Sequence, residues 1–215
     1  MRMLTSPQGS AEWLSERAGK ATASEFSSIM AKIKTGEAAD RCNYRARLVV
    51  ERLTGKPIPT FQSAAMRQGT EREPDARMAY MVKTGAVVEQ VGLCLHDTLD
   101  AGASPDGLID EDGGLEIKCP ELATHLEYLR LKAEPPAYTW QIQGCMWITG
   151  RKWWDFVSYN PDFPDHLQLV TRRIHRDEEV IARLEAEVKK FLAEVEQETA
   201  DVMNLPAAAL PNQQN

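Results

Sequence analysis

Ser104-Pro105-Asp106-Gly107-Leu108, followed by Leu115-Glu116-Ile117-Lys118, brings two carboxylates and an amine into one short stretch of chain. Side chains alternate along a strand, so Glu116 and Lys118 project together while Leu115 and Ile117 point the other way, into a core. A turn at Asp112-Gly113-Gly114 folds Asp106 back beside them. Two carboxylates held together repel, and either a proton on one of them or a divalent cation relieves the repulsion. Hard oxygen ligands favour Mg²⁺ or Mn²⁺. Such an ion polarises a phosphoryl oxygen, lowers the pKa of a bound water and offsets charge on a leaving oxygen, the requirements of phosphodiester hydrolysis. Lys118 would orient or deprotonate the water. Taken singly, Pro-Asp-Gly is a common turn and Glu-x-Lys a common solvated, salt-bridged strand face. Their combination at hairpin spacing, each piece beside apolar β-type residues, puts a metal site on an equal footing with those structural readings.

These residues need elements to hold them. Thr22-Ala23-Ser24-Glu25 reads as a capping box that starts a helix reaching about Ala31, and Gly36 marks a loop. Helices follow over 40–53, stopped by Thr54-Gly55-Lys56-Pro57, and over 63–83, stopped by Gly85. From Ala86 the pattern turns to β-type runs over 87–95, 106–109 and 115–118. Helical segments over 121–132 and 138–149, separated by Pro135-Pro136, precede strands over 153–159 and 167–174. A final helix over 177–203 spaces Val180, Ile181, Leu184, Val188, Phe191, Leu192 and Val195 on one face. The expected fold is α/β (α+β): a helical first third, a central mixed sheet flanked by helices, and a long C-terminal helix. Residues 1–204 read as one domain and 205–215, rich in Ala, Pro, Asn and Gln, as a disordered tail.

Composition sets outer limits. With 215 residues, 43% hydrophobic and 27% charged, the chain can build one sizeable core. No apolar run approaches the roughly 20 residues that span a bilayer, and the start lacks a secretory apolar stretch, so a cytoplasmic protein without membrane association is expected. Cys42, Cys94, Cys119 and Cys145 are scattered singly, which fits reduced, mostly buried thiols and not a zinc site. The net charge of −7 counts against DNA binding until its distribution is read. Trp13 to Lys56 carries nine Lys and Arg against five Asp and Glu, whereas Arg176 to Asp201 carries four against nine. The segregation leaves room for a basic surface. Trp153 and Trp154, beside Phe156 and Val157, read as core residues before base-stacking ones, and His125, His166 and His175 have no metal-ligand spacing.

The Pro-Asp…Glu-x-Lys pattern resembles that of the PD-(D/E)xK, restriction-endonuclease-like nucleases. Ser-Pro-Asp-Gly-Leu…Leu-Glu-Ile-Lys-Cys-Pro looks like the phage lambda-type (alkaline) exonuclease branch. Arg17-Ala-Gly-Lys-Ala-Thr-Ala-Ser24-Glu25, Gly69-Thr-Glu-Arg-Glu73-Pro-Asp-Ala-Arg77, Gln141-Ile-Gln143-Gly-Cys-Met-Trp147 and Asn160-Pro161 resemble further stretches of that family in the same order. The likeness runs from about Trp13 to the final helix.

The resemblance implies a restriction-endonuclease-like core and a 5′→3′ double-strand DNA exonuclease. Such an enzyme releases 5′-mononucleotides and leaves a 3′ single strand for recombination with a single-strand annealing protein. It also implies a homotrimeric ring, two Mg²⁺ ions, and a phage or prophage origin in a bacterial cytoplasm. By position, Asp106 and Glu116 match the metal-binding carboxylates, the Ile117 carbonyl a further ligand, and Lys118 the catalytic lysine. Glu73 matches a helix-borne acid near the metals, and Gln141 (or Gln143, if the placement slips) a glutamine that contacts metal waters or phosphate. Arg17 and Ser24 match a pocket for the terminal 5′-phosphate, chemistry that suits a guanidinium fork. One departure stands out: where some relatives carry an acid on the strand before the Pro-Asp motif, this chain has His96-Asp97. Two rivals share these residues: an endonuclease or junction resolvase of the same fold, and a DNA-end-binding scaffold for the annealing protein.

Overall fold

Ser10 accepts the Trp13 N–H at 3.1 Å and so starts helix α1 (Ala11–Arg17) in a computed structural model that describes residues 1–206. Strand β1 (Arg2–Met3) precedes it; β2 (Ala21–Thr22), α2 (Phe26–Met30), α3 (Ala39–Thr54) and α4 (Ala64–Thr84) follow. Ser63 caps α4, and Gly85, at φ +74°, ends it in the left-handed conformation that relieves its last carbonyls. Next come β3 (Val88–Glu89), β4 (Cys94–Leu95), β5 (Ala101–Ala103), β6 (Gly107–Ile109) and β7 (Gly113–Lys118). The chain finishes with α5 (Leu122–Arg130), α6 (Thr139–Thr149), β8 (Trp153–Tyr159), β9 (Leu169–His175) and α7 (Glu178–Met203). Of the segment expected to be a disordered tail, Leu205 and Pro206 are exposed and the remainder lies outside the described residues.

The expected mixed sheet is present in the order β3-β6-β7-β8-β9. Strand β7 is antiparallel to β6 and parallel to β8, with Leu115 opposite Asp155 and Lys118 opposite Ser158. A parallel pair requires a crossover, and α5 and α6 supply it. One face of the sheet packs Trp154 and Phe156 against Phe26, Ile142, Leu184 and Phe191 of α2, α6 and α7. The other face packs Ile109, Leu115, Ile117 and Val157 against Ala76 and Tyr80 of α4. Asp155, buried on that second face, is satisfied by the Tyr80 hydroxyl at 2.6 Å and by Arg173 at 2.8 Å.

Several expectations are corrected. The described residues hold a second sheet, β1-β4-β5-β2, that the sequence pattern did not reveal, because β5 is Ala-Gly-Ala and carries no β-branched signal. The run 87–95 divides between the two sheets. Gly92 crosses so close to the N-terminal segment that a Cβ there would lie 2.5 Å from the Leu4 carbonyl oxygen. The capping box does not form: the Thr22 hydroxyl accepts from Arg17 at 2.7 Å, and Glu25 pairs with Arg47 at 2.7 Å. The hairpin turn is Asp110-Glu111-Asp112, with Asp110 at φ 48°, and Gly113 and Gly114 belong to β7. Arg151 holds this turn by donating to the carbonyls of Ile109, Asp110 and Gly113. All four cysteines are free, but Cys42 is exposed and Cys119 only partly buried.

Candidate active site

The hairpin β6–β7 performs the expected juxtaposition. Gly107 pairs with Leu115, the Asp106 N–H donates to the Leu115 carbonyl at 3.2 Å, and the Asp106 carboxylate accepts the Ile117 N–H at 2.6 Å. Alternation along β7 sends Leu115 and Ile117 into the α4 core and leaves Glu116 and Lys118 together, with Nζ 2.6 Å from Oε1. Gln141, in the first turn of α6, donates Nε2 to the same Oε1 at 2.6 Å. Gln143 is excluded from this cluster: its amide bonds the His175 carbonyl and the Asp177 N–H and so ties α6 to the start of α7. Lys118 Nζ also lies 5.0 Å from the Tyr138 ring centre, a cation–π contact the sequence did not signal.

Glu73, on α4, carries its charge to the same neighbourhood. Burial raises its pKa most, opposed by the Arg77 ion pair and assisted by the Glu116 charge. Asp106 is pushed well above the ordinary carboxylate range, first by burial and then by the charges of Glu116 and Glu73. Burial works against the charge of Lys118, yet Glu116 and Asp106 outweigh it and raise its pKa above the usual amine value. Three carboxylates are thus crowded together, an arrangement that a proton or a cation among them relieves.

Glu116 is 1% exposed, and its Oε2 has no hydrogen-bond partner. An unsatisfied buried carboxylate oxygen costs on the order of 1–3 kcal/mol or more, so a missing partner is expected there. A divalent cation held by Glu116 and Asp106 would supply it. Among the described residues no three His, Cys, Asp or Glu side chains converge into a complete cage. His96 and Asp97 lie elsewhere: the His96 ring accepts the Thr98 and Leu99 N–H groups, and Asp97 pairs with the N-terminal amine.

Arg17 and Ser24 meet in a second place. Arg17 Nη2 donates to the Ser24 hydroxyl at 2.6 Å and to the Thr22 hydroxyl at 2.7 Å. It borders a cavity of about 300 Å³ that Lys20, Glu25, Tyr44 and Arg47 also line, and that none of Asp106, Glu116 and Lys118 reaches. Burial lowers the pKa of Arg17, and among the described residues no carboxylate lies within ion-pair distance of it. A partly buried guanidinium served by neutral hydroxyls has the chemistry to receive an anion. The sequence does not signal Thr22 as a partner of Arg17, because its position suggests a helix cap, nor Arg77, because an i,i+4 partner of Glu73 reads as a surface pair.

Residues 12–152 match the family described as the YqaJ-like viral recombinase domain. The chain is similar to the crystal structure of an alkaline exonuclease, LHK-Exo, from Laribacter hongkongensis, with 45% identity and a TM-score of 0.84 over 90% of this chain and 96% of that one. The same figures hold for LHK-Exo in complex with dAMP. A phage related exonuclease from Haemophilus somnus 129PT shares the fold at 15% identity, with a TM-score of 0.69 over 85% of this chain and 96% of that one. Among curated proteins nothing matches.

Proposed function

We propose a function from this premise: the chain belongs to the YqaJ-like viral recombinase domain family, of the phage lambda exonuclease type, and is an exodeoxyribonuclease of DNA recombination. Beyond that, we propose that it is Mg²⁺-dependent, with Mn²⁺ as a substitute, and digests duplex ends 5′→3′ to 5′-mononucleotides. The observation that carries this is Glu116, buried with one oxygen unpartnered and the other shared by Lys118 and Gln141, beside an Asp106 whose pKa is raised.

Asp106, Glu116 and the Ile117 carbonyl would hold the metal, two ions in the full reading, with Glu73 and Gln141 reaching its waters or the phosphate. When bound, the metal polarises the scissile phosphate and offsets charge on the leaving oxygen. Lys118 stands beside Glu116 with its ammonium ready to orient the attacking water and to exchange a proton with it at Nζ. Gln141 fixes the Glu116 carboxylate and thereby the direction of its free oxygen. Arg17 and Ser24 would anchor the terminal 5′-phosphate, so that the strand end is registered before the adjacent bond is cut.

The same reading includes a homotrimeric ring around the duplex, a single-strand annealing protein as partner, and work in a bacterial cytoplasm by a protein of phage or prophage origin. No helix among the described residues is long and apolar enough to cross a membrane. The test is digestion of linear duplex bearing a 5′-phosphate or 5′-hydroxyl, beside closed circular plasmid, in Mg²⁺ or EDTA. Metal-dependent loss of the 5′ strand with the circle intact is expected. Cutting of the circle would replace the proposal with an endonuclease, and no cutting with an end-binding scaffold.

A further inference from the structure

The Asp106 turn is gripped from several sides. Besides the bonds to Leu115 and Ile117, Gln8 Nε2 donates to the Pro105 carbonyl at 2.7 Å, and Arg77 Nε donates to the Asp106 carbonyl at 3.2 Å. The same guanidinium pairs through Nη2 with the Glu73 carboxylate. Its side chain is 10% exposed, unlike the solvated i,i+4 pairs that add only tenths of a kcal/mol to a helix. One planar guanidinium thus ties α4, through Glu73, to the loop that carries Asp106.

We infer that Arg77 is a positioning residue for the proposed hydrolysis, setting the spacing and direction of the Glu73 and Asp106 carboxylates relative to β7. The inference rests on the reading of Asp106 and Glu116 as the reacting centre. The geometry requires arginine in particular. Nε and Nη2 are fixed in one rigid plane and reach a backbone oxygen and a side-chain oxygen at once, whereas a lysine ammonium on a flexible stem fixes neither direction. Arg77 also borders a cavity of about 520 Å³ shared with Glu73, Pro74, Pro105 and Asp106. Empty space therefore lies on one side of these carboxylates, and packing there cannot hold them.

Arg77→Lys and Arg77→Gln test this. The Ile117 N–H donates to the Asp106 carboxylate, so its hydrogen exchange, followed by NMR in metal-free protein, reports the hold on that carboxylate without reference to activity. In Arg77→Lys we expect a melting temperature near wild type and roughly tenfold faster exchange at Ile117, with the Val157 amide unchanged. With Mg²⁺ and 5′-phosphorylated duplex, kcat falls by roughly ten- to a hundredfold while KM stays level, the size of loss that follows a misplacement of about 1 Å. Arg77→Gln should show the same exchange signature whatever its stability. Unchanged Ile117 exchange in both variants, or a kcat in Arg77→Lys equal to that of wild type, would overturn the inference. If wild-type protein digests no DNA end at all, the proposed function fails, and the Ile117 exchange still decides whether Arg77 holds Asp106.

Discussion

Arg17→Ala separates end recognition from chemistry. In the native chain the Arg17 guanidinium donates to the hydroxyls of Thr22 and Ser24 at 2.7 and 2.6 Å and stacks over Trp13 at 5.0 Å, with no carboxylate partner among the described residues. A charged hydrogen bond contributes about 1.5–3 kcal/mol, which converts to roughly ten- to a hundredfold in kcat/KM. That loss applies only to substrates carrying the terminal phosphate. The intramolecular cost falls on stability and not on the ratio: it is the loss of the bonds to buried Thr22 and to Ser24 and of the cation–π contact over buried Trp13. The assay is the ratio of kcat/KM for 5′-phosphorylated over 5′-hydroxyl duplex, with circular dichroism melts to confirm folding. We expect the ratio to collapse toward unity while the 5′-hydroxyl rate holds. A folded variant that retains the wild-type ratio would refute the assignment of this cavity to the 5′-phosphate, whatever the state of the metal site.

The two glutamines of α6 should behave oppositely. Gln141→Ala is expected to lower kcat with little change in melting, whereas Gln143→Ala strands the Asp177 N–H and the His175 carbonyl and should cost about 1–3 kcal/mol in denaturant titrations. Gly114→Ala forces a Cβ to within 2.2 Å of the Trp154 ring, so a destabilisation of about 1–3 kcal/mol is expected from overpacking, and an unaltered urea midpoint would show that β7 and β8 are not paired as described. The Arg45 hydrogen bond, against a smaller burial effect and with help from Arg41, holds Glu37 below its ordinary value of 4.5. Its contribution to stability is therefore complete above that value and is lost as pH falls through the lower, folded value. Melting temperatures of Glu37→Gln should lie below wild type at neutral pH and converge with it in acid.

Local pattern determined a good deal here. The period-2 alternation of Leu115, Glu116, Ile117 and Lys118 decides which pair faces the α4 core and which the candidate site, and a hairpin places Asp106 beside them; both follow from strand geometry alone. The 3.6-residue spacing of Ile181, Leu184, Val188, Phe191, Leu192 and Val195 likewise buries one face of α7. Tertiary structure decided whatever depends on partners distant in the chain. Thr22 looked like a cap but is claimed by Arg17; Gln141 and Gln143 are alike in sequence and divide between Glu116 and the α7 start; β5, without branched side chains, becomes a strand because β2 and β4 flank it. Propensity and periodicity measure what a residue gains from its near neighbours. A guanidinium, an amide or a short small-residue strand gains most from groups that only the folded chain brings within reach, and so its role is legible only there.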